Sequence, residues 1–217
     1  LLAAGGQQHR VLALDDRRPA TMGKNLMLYL ASTSPRRREL LQQIGLTFEV
    51  LKVAVDETAE DEESPAEYVS RLAIAKARAA ADLVGPEDIV LSADTTVVCD
   101  GKIIGKPATL EEAVSIWKSL SGRSHQVMTG VALLRGERVA HRVVITEVHF
   151  HPLQADEMEA YWRTGEPADK AGGYGIQGRG AVWVDRISGS YSNVVGLPLS
   201  ETAEMLAGFG YSVWETH

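Results

Sequence analysis

The feature that most constrains the fold is the junction between an apolar run and a Ser-Pro pair. Residues 26–31 form a short, bounded apolar run, which is typical of a buried strand. Ser34 is suited to an N-cap, and Pro35 to the first helical position, where its missing N–H costs nothing. The sequence therefore predicts a strand followed directly by a helix that begins at Pro35 and ends near Gly45.

Two arginines stand on the first turn of this predicted helix. Arg36 and Arg37 place positive charge where it opposes the helix dipole. The unpaired N–H groups of a helix start can bind an anion, and a guanidinium can bind two phosphate oxygens at once. Two interpretations stay open from these residues alone: a solvated basic turn, or a phosphate-binding helix start.

Composition narrows the class of partner. The chain has 217 residues and a formal charge of −7, which does not suit broad nucleic-acid binding but permits a phosphorylated ligand in a local basic pocket. Cys99 is its one cysteine, so an internal disulfide is impossible, in keeping with a reducing cytoplasm. No apolar run approaches the ~20 residues that span a bilayer. We therefore expect a cytoplasmic protein whose partners include neither nucleic acid nor membrane.

Predicted strands and helices alternate along the chain, and they indicate an α/β fold with a cleft between two halves. Further strands are predicted at residues 47–53, 89–93, 96–98, 102–104, 126–135, 138–150 and 181–187. Further helices are predicted from residue 65 to about 84, from 109 to about 122, and at 156–163 and 199–207. Residues 1–24 lack clear periodicity and are expected to be an extension, with a single domain over 25–217.

Carboxylates follow two of the predicted strands. Asp94 comes directly after the apolar run 89–93, which predicts a carboxylate at the carboxyl end of a buried strand, where open α/β sheets bind ligands. It could ligate a metal, act as a general base or form a turn. Asp56 and Glu57 form a second carboxylate pair after the predicted strand 47–53.

Basic residues and a glycine-rich segment complete the set of candidates. Lys76 lies on an alanine-rich helix, a setting more typical of a surface lysine, whereas Lys106 is held between Gly105 and Pro107. Residues 166–180 are rich in glycine and predict a long functional loop. Arginines at a helix start, carboxylates at strand ends and this loop together suggest a polyphosphate with a divalent cation. The Gly-x-x-x-x-Gly-Lys-Ser/Thr motif of P-loop enzymes does not occur.

These residues together resemble the Maf family of nucleotide pyrophosphatases. The matching pieces, in family order, are Ser-Thr-Ser-Pro-Arg-Arg at 32–37, Asp-Glu at 56–57, Lys-Ala-Arg-Ala at 76–79, Ala-Asp-Thr at 93–95, Gly-Lys-Pro at 105–107, Glu-Pro-Ala-Asp-Lys-Ala-Gly at 166–172, Tyr-Gly-Ile-Gln-Gly at 174–178 and Gly-Leu-Pro at 196–198. Each piece is weak alone, but the combination is highly specific. Thr33 stands where glycine is frequent in the family, which leaves the Ser-Pro-Arg-Arg core intact.

The resemblance implies an elongated, two-lobed α/β fold with a mixed sheet, flanking helices and a central cleft, usually as a homodimer. It implies hydrolysis of a nucleoside triphosphate to the monophosphate and pyrophosphate with a divalent metal, Mg²⁺ or Mn²⁺. Carried over by motif, Asp94 would accept the proton, and Glu57 and Asp94 would hold the metal. The phosphate end would be lined by Ser32, Arg36, Arg37, Lys76 and Lys106. Positions linked to base choice in the dTTP/UTP pyrophosphatase branch would be Arg36, Thr95 and Gln177.

Two rival functions stay open beside this expectation. One is a nucleotide-binding regulator of cell division without significant turnover. The other is a purine house-cleaning pyrophosphatase that acts on ITP or XTP and has a similar architecture. Asp94 and Lys106 are both intact, which favours an enzyme over a regulator. A panel of nucleotides would separate the two enzymes.

Overall fold

A mixed seven-stranded sheet with flanking helices forms the body of the computed structural model, which describes residues 26–215. The expected extension over residues 1–24 lies outside the described residues. The strands are β1 (Leu28–Leu30), β2 (Glu49–Val50), β3 (Ile89–Cys99), β4 (Lys102–Ile104), β5 (Ser124–Arg135), β6 (Arg138–Phe150) and β7 (Val184–Ser188). The helices are α1 (Pro35–Gln43), α2 (Pro65–Ala81), α3 (Leu110–Leu120), α4 (Ala155–Trp162), α5 (Tyr191–Val195) and α6 (Leu199–Gly208).

The sheet combines parallel and antiparallel pairs. Its main path runs β2-β1-β3-β5-β6-β7, and β4 pairs with β3 beside this path. β1 is parallel to both β2 and β3, whereas the pairs from β3 through β7 are antiparallel. The α/β class and the mixed sheet are confirmed. Within residues 26–215, no helix is long and apolar enough to cross a membrane.

Strand β3 differs from its prediction in a way that moves the central candidate residue. The apolar run 89–93 predicted a strand that ends before Asp94, but β3 continues to Cys99. Its pairing with β5 is unbroken from Val90↔Leu134 to Val98↔Gln126, so backbone hydrogen bonds carry the strand through its polar residues. The prediction of Asp94 at a strand end was therefore wrong, because Asp94 lies in the middle of β3.

Three other predictions need correction. The strand predicted at residues 47–53 is reduced to Glu49–Val50. The long loop predicted at residues 166–180 contains 3-10 helices at Glu166–Asp169 and Ala171–Gly173, and a third begins at Arg179. Helix α5 was missed, because it is too short for a helical period to be visible in the sequence.

The two ends of β3 contribute to different apolar clusters. Leu91 and Ala93 belong to a cluster that packs with α1 and α6, whereas Val97 and Cys99 belong to a cluster with the aromatic side chains of α3 and α4. The Thr95 side chain shares the face of these residues and lies between the two clusters. Because successive side chains of a strand point to opposite faces, Asp94 lies on the face that packs against α2, between clusters that contain Val90 and Val98. The polar centre of β3 is thus a junction between apolar clusters on both faces of the sheet.

A close approach between α2 and the sheet brings helical side chains to this junction. Gly130 lies opposite Asp94 in the β3–β5 register, and a Cβ added there would lie 2.3 Å from the Val69 carbonyl oxygen. The buried hydroxyl of Ser92 donates to the Ala73 carbonyl at 2.6 Å. Small residues at the contact therefore let the backbone of α2 rest almost directly on the sheet.

Candidate active site

The candidate site is built around the ammonium group of Lys76. Lys76 Nζ lies 2.7 Å from Asp94 Oδ1 and 2.7 Å from Glu57 Oε1. The Lys76 side chain is only 14% exposed and that of Asp94 13%, so the pair is held largely away from water. Sequence reasoning alone favoured a surface position for Lys76, and the structure instead places it at the centre of the site.

The segment that carries Glu57 is tied to α2. The Tyr68 hydroxyl donates to the Glu57 backbone carbonyl at 2.9 Å, a contact that sequence reasoning missed. The pKa of Glu57 is held below its ordinary value, chiefly by the hydrogen bond from Lys76 and further by the charges of Lys106 and Arg37. This carboxylate therefore lies in the field of several cations that belong to different elements.

Arg37 is the most heavily bonded of the candidate cations. Its Nε donates to the Gly196 carbonyl at 2.8 Å, its Nη1 to Ser32 Oγ at 3.1 Å and its Nη2 to Thr95 Oγ1 at 3.0 Å. Thr95 Oγ1 also lies 2.9 Å from Thr129 Oγ1. Ser32 and Arg37, assigned to the phosphate end, are therefore in direct contact with Thr95, which is assigned to base choice.

Burial sets the electrostatics of Arg37. Burial lowers its pKa, and the nearby charge of Asp94 opposes that shift while the charge of Arg36 adds to it. A desolvated guanidinium interacts strongly with an anion. The interpretation as a solvated basic turn is therefore wrong for Arg37. The Ser34 side chain makes no capping hydrogen bond, and Ser32 Oγ instead accepts from the Ser34 N–H at 3.3 Å.

Arg36 forms an ion pair with the glycine-rich segment and shares none of the partners of Arg37. Its Nη1 lies 3.2 Å from Asp169 Oδ2, and Asp169 also pairs with its neighbour Lys170. Burial raises the pKa of Asp169, but hydrogen bonds from Lys170 and Arg36 outweigh it and hold the pKa below its usual range. The helix start of α1 is thus joined to the glycine-rich segment. Asp169 was part of a recognised motif but was not selected as a site residue.

Lys106 is placed by backbone contacts rather than by an ion pair. The Gly105 carbonyl accepts from the Gly172 N–H at 3.0 Å, and Pro107 packs against Gly173. The Lys106 side chain is exposed, and its charge reaches Glu57. The glycine-rich segment therefore supports the turn that presents this lysine.

Gln177 is exposed beside an anchored neighbour. Ile176 is 9% exposed and belongs to the apolar cluster that contains Leu91 and Ala93. Among the described residues, the Gln177 amide makes no hydrogen bond, either with the other candidate residues or elsewhere. The structure therefore leaves this amide available but does not bring it into the cluster around Lys76.

The carboxylate pair fits a divalent cation that a substrate helps to bind. Among residues 26–215, no three His, Cys, Asp or Glu side chains are grouped to hold a metal. Mg²⁺ commonly uses one or two carboxylates together with substrate phosphates and water. Asp94 and Glu57 supply two such carboxylates, and they already share the positive charge of Lys76. The donor set therefore suits a metal site that phosphate oxygens complete.

Comparisons with known proteins identify the family of this chain. The model of a family described as "Maf-like protein" matches residues 27–209, which span every candidate residue. The chain belongs to the Maf family. A dTTP/UTP pyrophosphatase of Symbiobacterium thermophilum is 55% identical over 86% of this chain and 96% of that protein. A dTTP/UTP pyrophosphatase of Vibrio parahaemolyticus is 47% identical over 87% of this chain and 100% of that protein. One of Aromatoleum aromaticum is 50% identical over 85% and 96%.

Maf membership therefore rests on sequence along the whole described fold. The solved structure of the Staphylococcus aureus Ham1 protein aligns with a TM-score of 0.43 and 14% identity over 57% of this chain and 71% of that chain, a similarity too weak to bear on function. Within the Maf chain, the contacts unite Ser32, Arg37 and Thr95 in one group and Glu57, Lys76 and Asp94 in another. Arg37 is the link between the groups, since the charges of Asp94 and Glu57 both act on it.

Proposed function

We propose that this chain hydrolyses dTTP and UTP to the nucleoside monophosphate and pyrophosphate. Relatives that are about 50% identical to this chain over nearly their full length carry the name dTTP/UTP pyrophosphatase. The observation in this chain that carries the proposal is the contact of Lys76 with both Asp94 and Glu57, next to a half-buried Arg37. Carboxylates and desolvated cations in one place are the groups that hydrolysis of a polyphosphate requires.

The cations bind and neutralise the triphosphate. A triphosphate repels an anionic nucleophile, so positive groups must lie where its oxygens sit. Arg37 is held rigidly by Ser32, Thr95 and the Gly196 carbonyl, so little conformational entropy is lost when phosphate binds. Lys76 and the exposed Lys106 extend the positive field towards Glu57.

Asp94 accepts the proton of the attacking water. Its Oδ1 is fixed by Lys76, and its Oδ2 has no hydrogen-bond partner among the described residues. A water bound at Oδ2 can give its proton to the carboxylate while its oxygen attacks phosphorus. The bond between that phosphorus and the bridging oxygen then breaks, and pyrophosphate leaves with the electron pair. Lys76 orients the carboxylate throughout.

Asp94 and Glu57 would also hold a divalent cation, Mg²⁺ or Mn²⁺. When bound, such an ion neutralises phosphate charge and polarises the phosphoryl oxygens. Glu57 suits this role because its side chain is 56% exposed and is therefore accessible to an ion that arrives with the substrate. Asp94 is proposed for both roles, as ligand and as proton acceptor.

Arg36, Thr95 and Gln177 are proposed to select the base. The Thr95 hydroxyl is oriented by Arg37 and Thr129, which fixes where its proton can point. Arg36 is shared with Asp169, so its position depends on the glycine-rich segment. Gln177 offers an amide donor and an amide acceptor, which match the O4 and N3–H groups of thymine and uracil.

The assembly we propose is a homodimer, and the compartment is the cytoplasm. The homodimer follows the family resemblance, and the cytoplasm follows the single, unpaired Cys99, which is buried. Light scattering of the purified chain would test the first proposal, and fractionation of cells would test the second. A mass of one chain would contradict the dimer.

A nucleotide panel with product identification tests the function. The purified chain is given dTTP, UTP, CTP, ITP and XTP with Mg²⁺, with Mn²⁺ and with excess chelator. We expect pyrophosphate and the monophosphate, kcat/KM highest for dTTP and UTP, and loss of turnover with chelator. Preference for ITP or XTP would identify a purine enzyme. Binding without turnover would identify a regulator. Release of orthophosphate would contradict the assigned bond.

A further inference from the structure

The glycine-rich segment after Lys170 is organised around one carboxylate. Glu166 Oε1 accepts a hydrogen bond from the Tyr161 hydroxyl at 2.7 Å and from the Gly180 N–H at 3.3 Å. Glu166 Oε2 accepts from the Arg179 N–H at 3.0 Å. A single side chain thus ties the end of α4 to the backbone that directly follows Gln177.

Two glycines let the backbone approach this carboxylate. A Cβ added at Gly178 would lie 2.4 Å from the carboxylate atoms of Glu166, and one added at Gly175 would lie 3.1 Å from its Oε1. The Gly175 N–H donates to the Tyr161 hydroxyl at 3.0 Å. Residues on both sides of Gln177 are therefore fixed to one pair of side chains.

The protonation states suit this arrangement. Burial alone raises the pKa of Glu166, but hydrogen bonds from Tyr161, Arg179 and Gly180, with the charge of Lys170, outweigh it and leave the pKa below its ordinary value. Burial and the Glu166 carboxylate raise the pKa of Tyr161, so its hydroxyl keeps its proton and remains a donor. At neutral pH the carboxylate is an acceptor at every contact.

We propose that Glu166 is a positioning residue for pyrimidine selection, which holds residues 175–180 so that the Gln177 amide faces the base. The Gln177 amide has no hydrogen bond of its own among the described residues, so its direction depends on the backbone that Glu166 fixes. Ile176 secures that backbone from the apolar side. The inference rests on the proposed function, because it assigns how that function chooses its base.

The test uses Glu166→Gln in the full chain. The amide keeps the shape of the side chain, but its nitrogen cannot accept a hydrogen bond, so contacts from Tyr161, Arg179 or Gly180 are lost. Hydrogen bonds to charged groups are strong enough that we expect KM for dTTP to rise about tenfold, with kcat changed much less. We also expect a lower UTP:CTP ratio of kcat/KM and faster hydrogen exchange at the Arg179 and Gly180 amides.

Matched variants separate positioning from general damage. Glu159→Gln changes an exposed carboxylate on α4 that pairs with Arg163, and it should leave all of these measurements unchanged. Tyr161→Phe removes one donor while it keeps the ring in the aromatic cluster, and it should shift KM in the same direction by a smaller factor. This variant carries the test if Glu166→Gln does not fold.

Three outcomes would overturn the role proposed for Glu166. Faster exchange with an unchanged UTP:CTP ratio and KM would overturn the inference while the proposed function stands. An equal fall in kcat for all nucleotides with constant KM would also overturn it, because that pattern indicates general damage. A wild-type chain that does not hydrolyse dTTP would overturn the proposed function and this inference together.

Discussion

Lys76 on α2 and Asp94 in the middle of β3 are 18 residues apart in sequence, and the Lys76 ammonium lies 2.7 Å from Asp94 Oδ1. The contact depends on the close packing of α2 over β5, where Gly130 faces Asp94. It fixes one oxygen of a carboxylate and supplies positive charge beside it. A pair of this kind suits both the binding of phosphate and the orientation of a proton acceptor.

Replacement of Lys76 by methionine should raise the pKa of Glu57. The hydrogen bond from Lys76 is the main cause that lowers this pKa, and methionine keeps the length of the side chain without its charge. A lowered folded pKa stabilises the native state above the ordinary carboxyl pKa, and this contribution is lost as pH falls through the lowered value. Carboxyl NMR titration should therefore show Glu57 titrating at higher pH in Lys76→Met.

Lys118→Met is the matched control for this titration, since Lys118 is exposed on α3. It should leave the Glu57 titration unchanged. A Glu57 pKa that is equal in wild type and Lys76→Met would show that the contact does not persist in solution.

Arg36→Ala should weaken binding of dTTP more than binding of thymidine, because the family resemblance assigns Arg36 to the phosphate end of the site as well as to base choice. The loss of a charge-assisted hydrogen bond costs about 1.5–3 kcal/mol. Titration calorimetry with both ligands measures the difference, and Arg38→Ala, an exposed residue on the same helix, is the control. Equal losses for both ligands would count against the phosphate assignment, and a larger loss for thymidine would move Arg36 to the base or ribose.

Gln177→Glu should lower the ratio of kcat/KM for UTP over that for CTP. The change removes the amide donor and nearly preserves shape, so the carbonyl O4 of uracil would face a second acceptor, whereas cytosine presents an amino donor there. Steady-state kinetics on dTTP, UTP and CTP measure the effect, with the exposed Gln42→Glu as control. An unchanged ratio would mean that Gln177 does not read the base.

Gly130→Ala should destabilise the fold and impair the site. Its Cβ would lie 2.3 Å from the Val69 carbonyl oxygen, so α2 would have to move away from the sheet. Overpacking of this kind costs ~1–3 kcal/mol. We expect a lower Tm and a lower kcat, since the Lys76–Asp94 contact depends on that packing. Gly208→Ala, whose Cβ meets no atom within 4 Å, should show neither effect.

The sequence predicted most helices and strands because their signals are local. The helix start at Pro35 and the strands at 102–104 and 138–150 depend on patterns among neighbouring residues. The continuation of β3 past Asp94 could not be predicted in this way, because it depends on pairing with the distant strand β5. That pairing supplies the backbone hydrogen bonds of a strand that is polar at its centre.

The residues of the candidate site also divide into those that sequence motifs predicted and those that depend on contacts between distant parts of the chain. Family motifs supplied Glu57, Lys76 and Asp94, and the structure brings these three into contact. The roles of Tyr68 and Glu166 could not be predicted from the sequence, because each acts through contacts that no local pattern encodes. The motif that contains Glu166 was the one available signal.

Asp94→Asn tests the central claim most directly, because it changes one proposed proton acceptor and nearly preserves its shape. Positioned proton transfer contributes typically ~10²–10⁴-fold, so kcat on dTTP should fall by at least that range, while calorimetry shows that nucleotide binding persists. Asp100→Asn is the control, because Asp100 lies at the hairpin just beyond β3, where Asn-Gly suits the turn equally well. A folded Asp94→Asn protein that keeps a kcat close to wild type would contradict the account.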